Sequence, residues 1–343
     1  MSTIAVNTIT DASGGSTASI NGYTPTVSNM AGRNRIINGA MTIHQRGGAI
    51  TSGYTLDRFG ILNTTDGAIS VTQDTNAPSN FKNSLKVTVT TADSSLASTQ
   101  RLAIRHRLEG NNVADFDFGS SSAQTVTLSF WVRSSETGTY GGSLQNSATN
   151  RTYVFSYSIS AADTWEKKTI TVAGDTSGTW ATDNSEGICI NWSLGCGSSF
   201  LNSAGSWLAA DAKSVTGESP LIGTDAATWQ ITGVQLEAGS VATPFEHRQY
   251  GQELALCQRY YFVNTGDGSF VAYAFSVNTT DTYRHILYPW PVQMRATPTT
   301  TANWAGGTSL ILYPNINSAA LLNNIGSATG LSQLVSVTAS AEL

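Results

Sequence analysis

In one stretch after another between Arg35 and Phe245, apolar residues take every second position. Ser84-Leu85-Lys86-Val87-Thr88-Val89-Thr90 is the clearest run. Val126/Leu128/Phe130/Val132, Tyr153/Phe155/Tyr157/Ile159 and Ile188/Ile190/Trp192/Leu194 repeat it. A period of two built from β-branched and aromatic residues predicts half-buried antiparallel strands. Further on, Trp229 and Ile231 share one parity while Val234 and Leu236 share the other. Gly233 sits at the switch, which predicts a β-bulge. Long Gly/Ser connections separate the runs. Many short strands with polar, glycine-rich links predict a jelly-roll β-sandwich over residues 34–247.

Residues 248–261 (RQYGQELALCQRYY) carry the one convincing helical signal, most of them good helix formers. They predict a linker helix. After it, Phe270 to Val277, His285 to Tyr288, Leu310 to Tyr313 and Leu334 to Ala341 read as strands of a smaller C-terminal β domain, residues 262–343. Residues 1–33 differ from both parts. Ile4, Val6, Ile9, Ile20 and Val27 are scattered through polar, Gly/Ser/Thr-rich sequence, too few to bury a core, so an extended arm that orders against a partner is expected. The expected fold class is all-β.

Composition sharpens this picture. Charged residues are 12% of the 343, about half of the ~25% usual in soluble domains. Hydrophobic content of 40% and eight Trp argue against disorder. A net charge of −5 offers no phosphate-binding footprint, so nucleic acid is not an expected partner. No apolar run approaches the ~20 residues that span a bilayer, so no membrane insertion is expected. Met1 to Val6 show neither a basic nor an apolar signal region, so export through a secretory signal peptide is not expected. Cys189, Cys196 and Cys257 are too few for a disulfide framework. Cys189 and Cys196 are close enough in sequence to pair, but reduced structural thiols suit a chain folded in a reducing cytoplasm.

No nucleophile elbow, His/Cys metal spacing or phosphate-cradling glycine loop is present, so no enzyme and no cofactor are expected. Asp115 and Asp117, in DFDFG, have a strand-like spacing that would aim both at one face. They read as solvated loop carboxylates, as a glycanase pair, or as part of a calcium loop whose other ligands cannot be named. His106 shares the apolar parity of Leu102, Ile104 and Leu108 and reads as a hydrogen-bonded core histidine. Arg101, Arg105 and Arg107 lie on the opposite parity of that strand. Trp131 shares its parity with Ser129 and Arg133, off the core face. An exposed Trp among Arg and Ser suits a sugar platform or, better, a subunit interface together with the three arginines. In Tyr288-Pro289-Trp290-Pro291 the prolines push Trp290 towards an edge or loop. With Tyr283 and Trp304 nearby, the motif reads equally as an aromatic glycan or receptor site and as the core of a small domain.

Several long strings carry a resemblance. Arg33-Asn34-Arg35-Ile36-Ile37-Asn38-Gly39-Ala40-Met41, then Tyr54 to Phe59, resemble the opening of a sandwich domain common in phage and prophage tail-fibre proteins. So do residues 126–153, 164–180 and 231–261. Residues 6–26 are similar to arms that anchor such proteins to the tail, and residues 294–298 and 339–343 resemble the family's terminal β domain. The resemblance implies a virion tail protein, commonly homotrimeric, with a sandwich like certain carbohydrate-binding modules. Its expected partners are itself, tail or baseplate proteins, and a host surface polysaccharide or receptor. The rival expectations are a tailspike-type glycan depolymerase and a free bacterial carbohydrate-binding protein.

Overall fold

The alternating runs pair into two sheets in the computed structural model, which describes residues 32–265, 271–274, 283–305, 308–324 and 332–343. The expected arm lies outside these residues except for Gly32 and Arg33, as does half of the expected strand Phe270–Val277. In chain order the sandwich strands are β1 (Phe59–Asn63), β2 (Ala68–Asp74), β3 (Ser84–Thr91), β4 (Arg101–Glu109), β5 (Val126–Ser134), β6 (Gly138–Gln145), β7 (Thr152–Ile159), β8 (Glu166–Val172) and β9 (Glu186–Cys196). The short β10 (Leu201–Asn202), β11 (Trp207–Leu208) and β12 (Ser214–Val215) come next, and then β13 (Thr228–Ala238). One sheet has the order β1-β4-β9-β6-β7-β11, the other β2-β3-β13-β5-β8. Within both sheets every pairing is antiparallel. The chain crosses between them repeatedly, in jelly-roll fashion. Inward-facing Leu102, Ile104, Leu144, Phe155 and Trp192 of the first meet Val87, Leu128, Phe130, Trp229 and Leu236 of the second in one continuous core.

The alternating runs named above leave out β1, β2, β6 and β8, of which the first two and the last alternate only briefly (Phe59/Ile61, Ile69/Val71, Ile170/Val172). For β6 the reason is steric. A Cβ on Gly141 would lie 2.1 Å from the Ser214 hydroxyl oxygen, and one on Gly142 would lie 2.3 Å from the Asn191 carbonyl oxygen and from the Phe155 ring. Neighbours fill the space of the missing side chains, so a central strand reads as a loop.

Helix α1 (Tyr250–Gln258) matches the expected helical stretch. After it come β14 (Tyr261–Asn264), β15 (Ala272–Ala274), β16 (Tyr283–Pro289), β17 (Thr299–Ala305), β18 (Thr308–Leu312), β19 (Ser318–Asn324) and β20 (Ser332–Ser340). β20 pairs with β14, β15 and β17, while β16, β19 and β18 form a separate sheet. β17 (TTTANWA) and β19 (SAALLNN) carry no clean alternation in the sequence. Their buried residues, Ala302, Ala319 and Leu321, join Phe262, Trp290, Met294 and Leu334 in a second core.

A lead-in segment, residues 34–58, fastens the sandwich to α1 and the C-terminal strands. Asn34 accepts from the Ile36 and Leu236 amides and donates to Val234 O at 3.0 Å. Asn38, with φ 62°, donates to Ile43 O and Asp57 O, and its amide donates to Glu253 of α1 at 2.6 Å. Gly39 is required by contact, since a Cβ there would sit 2.2 Å from Val234 O. Arg58, 1% exposed, pairs with Glu342, lies 3.6 Å from the Tyr260 ring centroid and donates to Arg107 O. Arg46 also holds Glu342, at 3.0 Å. Glu109 would be raised in pKa by its burial, but hydrogen bonds from Arg259, Tyr260 and Asn111 outweigh that and hold it below the usual carboxylate range.

His106 fulfils the core reading: it is buried, and Nε2 donates to Ile37 O at 3.1 Å. The three cysteines are free and buried.

These groups carry two stability predictions. Removing Glu342 (Glu342→Ala) strands the Arg58 charge indoors and should cost about 3–5 kcal/mol in urea unfolding. The double variant Arg58→Met/Glu342→Ala should recover most of that loss, and no recovery would mean that the pair is not the source. His106 is lowered to about 3, first by burial and then by nearby Arg58, from an ordinary value of 6.5. The unfolded chain therefore binds a proton that the folded chain refuses. Stability should be full above pH 6.5 and fall by roughly 1 kcal/mol per pH unit from there towards 3. His106→Gln should lessen that slope between pH 6.5 and 5, and an unchanged slope would acquit His106.

Candidate functional site

The bulge in β13 shapes an open aromatic surface on the five-stranded sheet. The β13–β5 register slips between Thr232 and Gln235, and Gly233 turns through φ 61°. A Cβ on Gly233 would lie 2.6 Å from Phe81 and 3.1 Å from Trp131. The absence of that atom lets both rings settle over the backbone. Beside them a groove of about 640 Å³ opens, lined by Phe81, Trp131, Lys167, Phe245 and His247 over Gly233.

Each wall has a local cause. Trp131 sits at the outward parity of β5, opposite Thr232 on one side and Lys167 on the other. Phe81 arrives from the loop between β2 and β3, and Phe245 and His247 from the segment after β13. These three rings pack together, Phe81 to Phe245 at 5.0 Å, Phe81 to His247 at 5.4 Å and Phe245 to His247 at 4.8 Å between centroids. Trp131 and Phe81 are half-buried, and Lys167 and His247 are exposed. Apolar faces next to exposed cationic and hydroxyl groups are what a sugar ring needs: C–H faces to stack and polar edges to hydrogen-bond. Sequence reasoning found Trp131 and the bulge. It missed Phe81, Phe245 and His247, which lie in loops without periodicity.

The other site candidates fare differently. Trp131 and the arginines Arg101, Arg105 and Arg107 are on different sheets, so the single patch expected of them does not exist. Arg101 pairs with Asp211 at 3.5 Å and lies over the Phe200 ring. Arg107 pairs with Glu186 at 2.9 Å and donates to Leu343 O. Those two are thus engaged within the chain. Arg105 lies half-buried between them in β4.

Of the two readings of Tyr288-Pro289-Trp290-Pro291, the core of a small domain is the one that describes Trp290. It is 6% exposed, packs on Phe262 and Tyr288, and donates from Nε1 to Asn315 O at 2.9 Å. Tyr288 and Trp304 are half-buried against the same core, and Tyr288 accepts from Asn264 at 3.0 Å. Tyr283 opens β16, but its side chain lies outside the described residues. The prolines do place Trp290 at a strand end. What they could not reveal is that the ring then folds inward.

Asp115 and Asp117 do not face one way. Ala114–Phe116 form a 3₁₀ turn and Asp117 is left-handed, with φ 54°. Asp115 is taken by Arg35 at 2.6 Å. Among the described residues no group of three acidic, His or Cys side chains is placed to hold a metal.

No protein-family model matches the sequence, and no curated protein matches it. Solved structures do overlap it at low similarity. The enzymatically active domain of bacteriophage CBA120 tailspike protein 4 is 12% identical with a TM-score of 0.34, over 60% of this chain and 21% of that one. A Bacteroides thetaiotaomicron protein described as sugar-binding is 12% identical with a TM-score of 0.36, over 60% and 100%. The family 11 carbohydrate-binding module of a Clostridium thermocellum cellulase is 12% identical with a TM-score of 0.28, over 60% and 95%. Overlap at this level identifies neither ligand nor activity.

The bulge yields a direct prediction. Gly233→Val forces a branched side chain into a left-handed position already occupied by two rings. It should cost about 1–3 kcal/mol in thermal or urea unfolding and shift the Trp fluorescence as Trp131 is displaced. A variant with wild-type stability and spectrum would show that the rings do not depend on the bulge.

Proposed function

We propose that this chain is a non-catalytic attachment protein of a bacteriophage virion, a tail-fibre protein that holds a host surface glycan in the groove over Gly233. The observation that carries the reading is the groove itself. It presents Trp131 and Phe81 on a rigid strand and a packed loop, and its lining holds no carboxylate. Preset aromatic faces lower the ordering cost of binding a sugar, and each stacked ring contributes on the order of 1 kcal/mol. Hydrolysis of a glycan would instead need two carboxylates flanking the bond, and Asp115 is already bound to Arg35.

The virion assignment rests on the resemblance of residues 33–41, 54–59, 126–153 and 231–261 to tail-fibre sandwich domains. On this reading residues 1–33 dock on tail or baseplate proteins, and copies of the chain assemble as a homotrimer. Three linked grooves would then raise avidity by about 10²–10⁴ over one. The buried state of Trp290 moves the expected contact from the C-terminal part to the sandwich.

Trp131→Ala is the decisive variant. It should reduce adsorption to host cells, or retention on the host's purified surface polysaccharide, by at least about ten-fold in the assembled protein. The unfolding midpoint should change little, because Trp131 lies off the core. Trp290→Phe should leave adsorption intact. Normal adsorption by the folded Trp131 variant would remove the groove from recognition.

A further inference from the structure

The charges around the groove are unbalanced in one direction. On the outward face of the five-stranded sheet, Lys86 pairs with Asp74 at 3.5 Å and Arg133 with Asp163 at 2.8 Å. Lys167, on the same sheet and opposite Trp131, has no ion pair among the described residues. Its neighbours in β8 do not neutralise it, because Glu166 and Lys168 lie on the other parity and pair with each other at 2.6 Å. Glu246, between the two groove residues Phe245 and His247, accepts the Gly32 and Asn34 amides instead. The ionisable side chains lining the groove are thus Lys167 and His247, in a chain whose net charge is −5.

We infer that the groove selects an anionic glycan, one whose sugar carries a carboxylate or a phosphodiester that Lys167 meets while the ring stacks on Trp131. This rests on the glycan reading of the groove. In a chain of net negative charge, an ammonium without an ion pair in the groove lining draws an anion to the aromatic face. The ammonium also favours an anion without demanding planar geometry, unlike a guanidinium. β8 is an edge strand, where lysine discourages unwanted strand addition. That role requires charge anywhere along the edge, but not beside the groove.

An oligosaccharide array separates these ideas. It would carry neutral, uronate-bearing, sialylated and phosphodiester-linked glycans and be probed with the full-length wild type, Trp131→Ala, Lys167→Gln and Lys167→Glu. Acidic glycans should be retained. Lys167→Gln should weaken them about three- to ten-fold and Lys167→Glu further, with weakening of the wild type as salt rises. Which acidic class is retained separates carboxylate from phosphodiester. Retention of neutral glycans alone, lost in Trp131→Ala but not in Lys167→Gln, would overturn the charge selection and keep the glycan groove. Retention of nothing would overturn both. Unchanged acidic binding by Lys167→Gln, with aggregation in its place, would assign Lys167 to edge protection and overturn the inference. Lys167 is exposed, so the variants should fold as the parent does.

Discussion

A full positive charge buried at Arg58 constrains more of this molecule than any apolar contact. At 1% exposure the guanidinium must be neutralised and hydrogen-bonded inside the protein, because water cannot do it. Glu342 supplies the counter-charge, Tyr260 the aromatic face and Arg107 a carbonyl. These partners come from the far end of the chain, the segment after the helix and the middle of the sandwich. Each is drawn to one point by a single side chain. A buried pair of this kind adds little net stability over an apolar substitute, but losing either partner leaves an uncompensated charge indoors. The lead-in turns through left-handed backbone at Asn38, Met41 and Arg58 on its way to these contacts.

The groove depends on that fastening at one remove. Asn34 and Gly39 of the lead-in bind the bulged part of β13 through Val234 and Leu236. Glu246, which positions Phe245 and His247, is held by the Gly32 and Asn34 amides. The same short segment therefore braces the bulge from beneath and anchors the loop that supplies two of its rings. A site on one sheet is positioned by residues that the alternating pattern never marked as structural.

The sandwich was legible because alternation, β-branching and the parity switch at Gly233 all agreed. β6 was not, because its glycines encode the approach of Ser214 and Phe155 rather than a face of their own. β17 and β19 escaped because Thr, Asn and Ala fill both their faces. The site was half legible. Parity showed Trp131 pointing away from the core, but no local signal tells whether Phe81, Phe245 and His247 converge on it from loops more than 40 residues away in sequence. Trp290 was legible only as a choice of two: its proline flanks fix the backbone, and the choice between core and surface rests on Asn315 and Phe262, which sequence spacing does not connect to it.

The two outward faces of the sandwich differ in a way that bears on where recognition is possible. On the six-stranded sheet, the chain from Ser198 to Glu218 lies across β6 and β9 and seals them with a polar network. Lys213, 5% exposed, binds Gln145 and, at 2.7 Å, Asp211. Gln145 donates to Thr152 and Asp211, and Asn191 donates to Ser143 and Gln145. Ser214 binds Glu218, which also accepts the Cys196 amide. A network of this kind is costly to open, because each partner left behind would be a buried polar group without a bond. A ligand approaching that face would have to displace the chain's own residues and match all of their hydrogen bonds at once. On the five-stranded sheet no such strap crosses Trp131 among the described residues, and the groove is already open. The physical asymmetry comes from where the long connections lie: between β9 and β13 the chain spends its excursion on one sheet, and so leaves the outward face around Trp131 on the other uncovered by that excursion.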